Sequence, residues 1–239
     1  MKIAVSFLWV IGLALVGCNR RPDYAIILAG NSILANVTDV PFGKKLSAAL
    51  PQALRAAQVP GRADVTANLS NYGGLTSRML ARDSAGVARA YQVERPTVLL
   101  VYEGSNDLWY LMNVHTSAAG LQAYRNLKQF LMDRKAQFPH LLTVTGTVLP
   151  RTDAPNPAGF ERERLVLNEQ LRQAWHRQEP WLDALADPAQ NPKMLHPGPK
   201  GMTSLYYKDG VHPSVAGLAE IVPLFAQAVG NALAHASKR

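Results

Sequence analysis

One cysteine, Cys18, stands in a chain of 239 residues. No intramolecular disulfide can form, and no thiolate zinc site can be built. The apolar stretch over residues 3–16 counts fourteen residues, short of the ~20 that a membrane-spanning helix needs. Charge of one sign is gathered nowhere. Lys44 and Lys45, Arg162 and Arg164, and Lys238 and Arg239 form only short groups, with no basic stripe interleaved with aromatics. A nucleic-acid partner is therefore not expected. The formal net charge of +8 reads as a solvated surface with mild attraction for anionic lipid or polysaccharide. Also missing are a Gly-x-Ser-x-Gly elbow, His-Glu-x-x-His, a phosphate loop ending in Lys-Ser or Lys-Thr, and a dinucleotide fingerprint. The six histidines (115, 140, 176, 196, 212 and 235) show no metal-ligand spacing. No metal or organic cofactor is expected.

What is there is an ordinary globular composition, 48% apolar and 18% charged, in a length that suits one α/β domain. The N-terminus reads Met1-Lys2, an apolar stretch, then Gly17-Cys18, the pattern of a secretory signal. Leu15-Val16-Gly17-Cys18 resembles the lipobox of bacterial lipoproteins. That resemblance implies cleavage before Cys18, a diacylglyceryl group on its sulfur, and anchoring at ~0.8 kcal/mol per buried methylene. The plain alternative is an ordinary signal peptide with a stray cysteine. Asn19 follows Cys18, where an aspartate would favour retention in the inner membrane of a Gram-negative cell, so the outer membrane is the expected address in such a host. Residues 1–17 are then the signal, 18–23 the lipidated N-terminus and linker, and 24–239 the domain.

Beyond the linker, apolar runs alternate with amphipathic stretches. Residues 25–29, 63–69, 97–102 and 141–148 read as strands, with Thr-Val-Leu-Leu-Val-Tyr at 97–102 the strongest. Helical spacing marks 46–57, with Pro51 a candidate break, then 76–91, a helix capped by Thr116 and running through Leu131, then 160–176, and 214–236 with a kink expected at Pro223. The proline-rich stretch 180–207 reads as a long loop, in which Trp181, Met194, Tyr206 and Tyr207 are candidates for an acyl pocket. Strands separated by helices predict a three-layer α/β/α sandwich with a central, mainly parallel sheet. In such sheets ligands bind beyond the carboxyl ends of the strands.

Four short segments fall where that crevice should be. Gly30-Asn31-Ser32-Ile33 follows the first strand, and Ser32 there either caps a helix or presents its hydroxyl. Gly73-Gly74-Leu75-Thr76-Ser77 follows the second, as a turn or as a close backbone approach to a substrate oxygen. Gly104-Ser105-Asn106-Asp107 follows the third, with Asn106 a turn residue or an oxyanion donor. Asp209-Gly210-Val211-His212-Pro213-Ser214 precedes the last helix, and its spacing lets the Asp209 carboxylate fix the His212 tautomer. Together they supply a nucleophile, a base, an orienting acid and oxyanion donors, a full set for acyl transfer.

In this order and spacing the segments resemble the SGNH (GDSL-type) hydrolase superfamily, with its flavodoxin-like fold. The resemblance spans Gly30 to Gly217. It implies a serine ester hydrolase with Ser32, Asp209 and His212 as the triad and with Ser32, Gly74 and Asn106 as the oxyanion hole. Gly73 is the fallback for Gly74. The family usually has aspartate where this chain has Asn31. Asparagine keeps one acceptor, exchanges the other for a donor and removes a charge. The turn is expected to survive, while the electrostatics beside Ser32 change, and with them rate and pH optimum. Expected substrates are short-chain acyl or O-acetyl esters on a polysaccharide or small molecule, or a lysophospholipid or thioester, with transfer of the acyl group a further outcome. The competing class is a catalytically inactive, lipid-anchored binding or assembly protein on the same fold.

Overall fold

Five short apolar runs pair side by side, all parallel, in a computed structural model that describes residues 22–30, 43–67, 84–154, 156–195, 205–206 and 209–237. They are β1 (Tyr24–Gly30), β2 (Ala63–Ala67), β3 (Thr97–Tyr102), β4 (Leu141–Gly146) and β5 (Ala184–Ala186), in the order β2-β1-β3-β4-β5. Every residue of β1, β3 and β4 is buried, as strands covered on both faces require. The order turns back on itself between β1 and β3, where Gly30 pairs with Tyr102. In parallel sheets such a reversal is where ligands bind, beyond the carboxyl ends of the strands.

The alternation of side chains along the strands sorts the helices onto the two faces. Ile26, Leu28, Val98 and Leu100 pack with Leu50 and Leu54 of α1 (Gly43–Ala56) and with Leu218, Ile221 and Phe225 of α6 (Val215–Ala236). Ile27, Leu99 and Val101 face the other way. They meet Val87 of α2 (Ser84–Ala90), Leu108 of α3 (Ser105–Asn113), Leu127 of α4 (Ala119–Gln137) and Leu167 of α5 (Pro157–His176). This is the three-layer sandwich that the pattern predicts. By length and mean hydropathy of 1.3, α6 would suit a membrane span, but half of it is buried in this core.

Several expectations change in detail. Pro51 does not break α1, which runs through it to Ala56, and Pro223 lies inside α6 as expected; packing against the sheet outweighs the one backbone bond each proline removes. Thr116 is not a cap. Its N–H closes the end of α3 on the Leu111 carbonyl, and α4 starts three residues later after Ala118 in a left-handed conformation. Of the helix expected over 76–91, the described part is α2. The stretch 180–207 is not all loop. It contributes β5 and two 3-10 turns at Pro188–Gln190 and Pro192–Met194, because three residues suffice for an edge strand once β4 offers a ladder.

The loop leaving β4 is gripped from α5. Asn168, wholly buried, accepts from the Val148 N–H (2.7 Å) and donates to the Val148 carbonyl (2.9 Å), which also receives Arg164 Nη1 (2.8 Å). Asn168→Leu strands the Val148 N–H in the core. It should cost about 1–3 kcal/mol, read as a melting temperature lower by about 2–4 °C per kcal/mol for a chain of this size. An unchanged melting temperature would show that the grip carries no stability.

Candidate active site

The segment 209–214 is shaped by Gly210. Its φ of +68° is left-handed, and a Cβ there would lie 1.8 Å from Thr152 Oγ1, so only glycine fits. The turn points the Asp209 carboxylate back along its own chain. Oδ1 accepts the N–H groups of Val211 (2.8 Å) and His212 (3.0 Å), and Oδ2 lies 2.6 Å from His212 Nδ1. Burial is the largest single influence on Asp209 and pulls its pKa up. The His212 and Val211 N–H groups and the imidazole outweigh it, and the carboxyl settles below its ordinary value. An ionised carboxylate only accepts, so His212 Nδ1 carries the proton and Nε2 is the acceptor nitrogen of the neutral ring. Ser214 then caps α6, its Oγ accepting the Gly217 N–H at 3.2 Å.

The loop after β4 ties this segment to α3. Thr152 N–H donates to the Gly210 carbonyl (3.1 Å). Arg151 is clasped by Asp153 through two 2.5 Å bonds and reaches Ser105 Oγ at 3.2 Å. Ser105 opens α3, and Asn106 follows it, half-buried, four residues beyond the end of β3. Gly104 makes that entry feasible, with φ +116° and a Cβ position only 2.9 Å from Leu167 Cδ2. The segment holding Asp209 and His212 is thus tied, through a bracket of three consecutive residues, to the helix entry that holds Asn106, beyond the carboxyl end of the central strand β3.

The family description "GDSL-like Lipase/Acylhydrolase family" matches residues 28–219, a span that holds every one of these groups. The chain belongs to that family. As a GDSL-like hydrolase it is a carboxylic ester hydrolase. No curated protein matches the chain. Among solved structures, the lipase/acylhydrolase of Enterococcus faecalis superposes with a TM-score of 0.60 at 17% identity, over 87% of this chain and 95% of that one. The psychrotrophic esterase EstA of Pseudoalteromonas sp. gives 0.57 at 16%, over 88% and 98%. The acetylxylan esterase Axe2 of Geobacillus stearothermophilus gives 0.55 at 16%, over 87% and 94%. At these identities the likeness is one of fold.

Ser32, Asn31, Gly73, Gly74 and Cys18 lie outside the described residues. Among the described residues no group of His, Cys, Asp and Glu could hold a metal ion. Of the four acyl-pocket candidates, the three described residues, Trp181, Met194 and Tyr206, do not converge. Trp181 packs in the core on one face of the sheet, while Met194 and Tyr206 pack in the core on the other. Apolar side chains on either side of a sheet satisfy themselves before they line a crevice. Tyr206 instead steadies the site, pairing with Pro213 and donating its hydroxyl to the Met194 carbonyl at 2.6 Å. Tyr207 lies outside the described residues.

Sequence reading missed Thr152, Arg151 and Glu103. Glu103 is wholly buried between β3 and α3, and its Oε1 accepts the Gly104 N–H at 3.0 Å. Burial, reinforced by Asp107, drives its pKa well above the ordinary carboxylate range, against the Gly104 and Asn106 N–H groups and Arg151. A carboxylate directly after a strand was the one available signal.

Proposed function

We propose that this hydrolase cleaves short-chain acyl or O-acetyl esters at the cell envelope through an acyl-enzyme on Ser32. His212 Nε2 takes the Ser32 proton as Oγ attacks the carbonyl, and the tetrahedral oxyanion forms against the N–H groups of Ser32 and Gly74 and the Asn106 amide. The proton passes from His212 to the departing alcohol. Water then repeats the sequence and releases the acid, regenerating Ser32. The observation that carries this reading is the 2.6 Å contact between Asp209 Oδ2 and His212 Nδ1, which leaves the ring one nitrogen of acceptor character. An inactive binding protein would have no need of an imidazole oriented in this way.

The lipobox-like Leu15-Val16-Gly17-Cys18 supports an anchored enzyme whose mature chain starts at Cys18. One experiment tests both parts. A fluorophosphonate probe should label the protein at Ser32, and the labelled band should sediment with membranes when Cys18 is present and appear in the soluble fraction for Cys18→Ser. Folded protein that takes no label would overturn the hydrolase mechanism, and soluble labelled wild type would overturn the anchor.

A further inference from the structure

Beside the bracket that joins Asp209 and His212 to α3 lies a cavity of about 350 Å³. Three contacts fix its place. Asn106 and Trp109 are three residues apart on α3 and so share a face. Ala154, two residues after Thr152, lines the cavity. Phe160 forms part of its wall and carries the Arg151 guanidinium 5.8 Å from its ring centroid, the same guanidinium that reaches Ser105. The cavity thus flanks the carboxyl end of β3, where the ester would sit.

Its chemistry is mixed in a telling way. Trp109 is 41% exposed, a large indole surface kept in water beside buried Phe160 and half-buried Met112. Around them stand the Asn113 and Asn156 amides and the His115 imidazole. Asn113 Nδ2 donates to the Trp109 carbonyl at 2.8 Å, which orients that amide. Asn156 is held by its cap bond to the Gly159 N–H at 2.9 Å. An acyl chain would strip water from these polar groups and offer them no partner. A pyranose ring has an apolar C–H face for the indole and a rim of hydroxyls for amide and imidazole. The volume, at the small end for ligand sites, suits a single ring.

We propose that this cavity is a saccharide subsite, holding the sugar ring whose O-acyl group reaches Ser32, with Trp109 against the ring face and Asn113 and His115 at its hydroxyls. The proposal rests on the ester-hydrolase reading above and names its substrate class, an O-acylated saccharide. The sugar hydroxyl is the leaving group, taking the proton that His212 received from Ser32, and water supplies the oxygen of the released acid.

The test compares acetylated xylo-oligosaccharide with p-nitrophenyl acetate and p-nitrophenyl octanoate. In Trp109→Ala the ratio of kcat/KM for the saccharide to that for p-nitrophenyl acetate should fall by about tenfold or more, through KM, as for truncation of an aromatic anchor that the ligand covers. Trp109→Tyr should restore most of the ratio. A general structural defect lowers both substrates together and leaves the ratio unmoved, which would overturn the proposal. So would a wild type that turns over p-nitrophenyl acetate but not the saccharide, or a change in the octanoate-to-acetate ratio in place of the saccharide ratio, which would assign the cavity to an acyl chain. Calorimetric titration of the same oligosaccharide separates this from the chemistry. Binding by wild type that Trp109→Ala abolishes supports the subsite even if no ester is cleaved, and absence of binding overturns it.

Discussion

Asp209→Asn should lower turnover of p-nitrophenyl acetate by about 10⁴-fold, and His212→Ala by about 10⁴–10⁶-fold, with the fold intact in both. Asparagine at 209 can keep the acceptor that meets the Val211 and His212 N–H groups at 2.8 and 3.0 Å. The group it places against His212 Nδ1 is then an amide donor, which wants that nitrogen deprotonated. The ring proton moves to Nε2, and the base faces the nucleophile in the wrong tautomer. A charge that would steady the imidazolium is lost as well. Because the three groups act as a unit, Ser32→Ala combined with His212→Ala should cost little more than either alone. Single-turnover measurements check this, and near-normal rates in either single variant would remove His212 and Asp209 from the chemistry. A second readout comes from acid. The folded pKa of Asp209 lies below its unfolded value, so the stability it contributes is present above the unfolded value and lost as pH falls through the folded one. Asp209→Asn should lack that portion of the acid-side decline in melting temperature.

How much of this was legible in the sequence follows the range of the interactions involved. β3 is visible at its true limits because six consecutive apolar or β-branched residues need no partner to be read as a buried strand. The pair Asp209 and His212 is equally local, three residues apart around Gly210, whose φ is left-handed in the structure. β5 is invisible because Ala-Leu-Ala is a strand only where β4 presents its edge. α3 was hidden because Gly104-Ser105-Asn106-Asp107 has turn composition and yet enters a helix. Arg151 and Thr152 carry no local signal at all. Their importance comes from Ser105, 46 residues before Arg151, and Gly210, 58 residues after Thr152, and no periodicity encodes contacts of that separation.

Asn106→Ala should reduce kcat by about 10²–10³-fold with little change in KM, the signature of a donor engaged in the transition state. What holds Asn106 in place is the buried Glu103. Its carboxyl receives the Gly104 and Asn106 N–H groups at the mouth of α3, and Oε2 finds no hydrogen-bond partner among the described residues. A charge in that position would be costly, whereas a neutral acid keeps the acceptor the turn needs and sheds the penalty. Glu103→Gln should therefore preserve kcat, while Glu103→Ala, which leaves two N–H groups without their acceptor, should depress kcat about tenfold or more as Asn106 loses its register. The pH dependence distinguishes a neutral acid from a buried charge. With the folded pKa above the unfolded one, the wild type's contribution from this group is full below the unfolded value and fades as pH rises through the folded value. Thermal melts should accordingly show Glu103→Gln gaining on wild type as pH rises across that window and matching it below. A constant difference at all pH values would mean that Glu103 does not titrate with folding, and that the turn beneath Asn106 is built around a permanent charge.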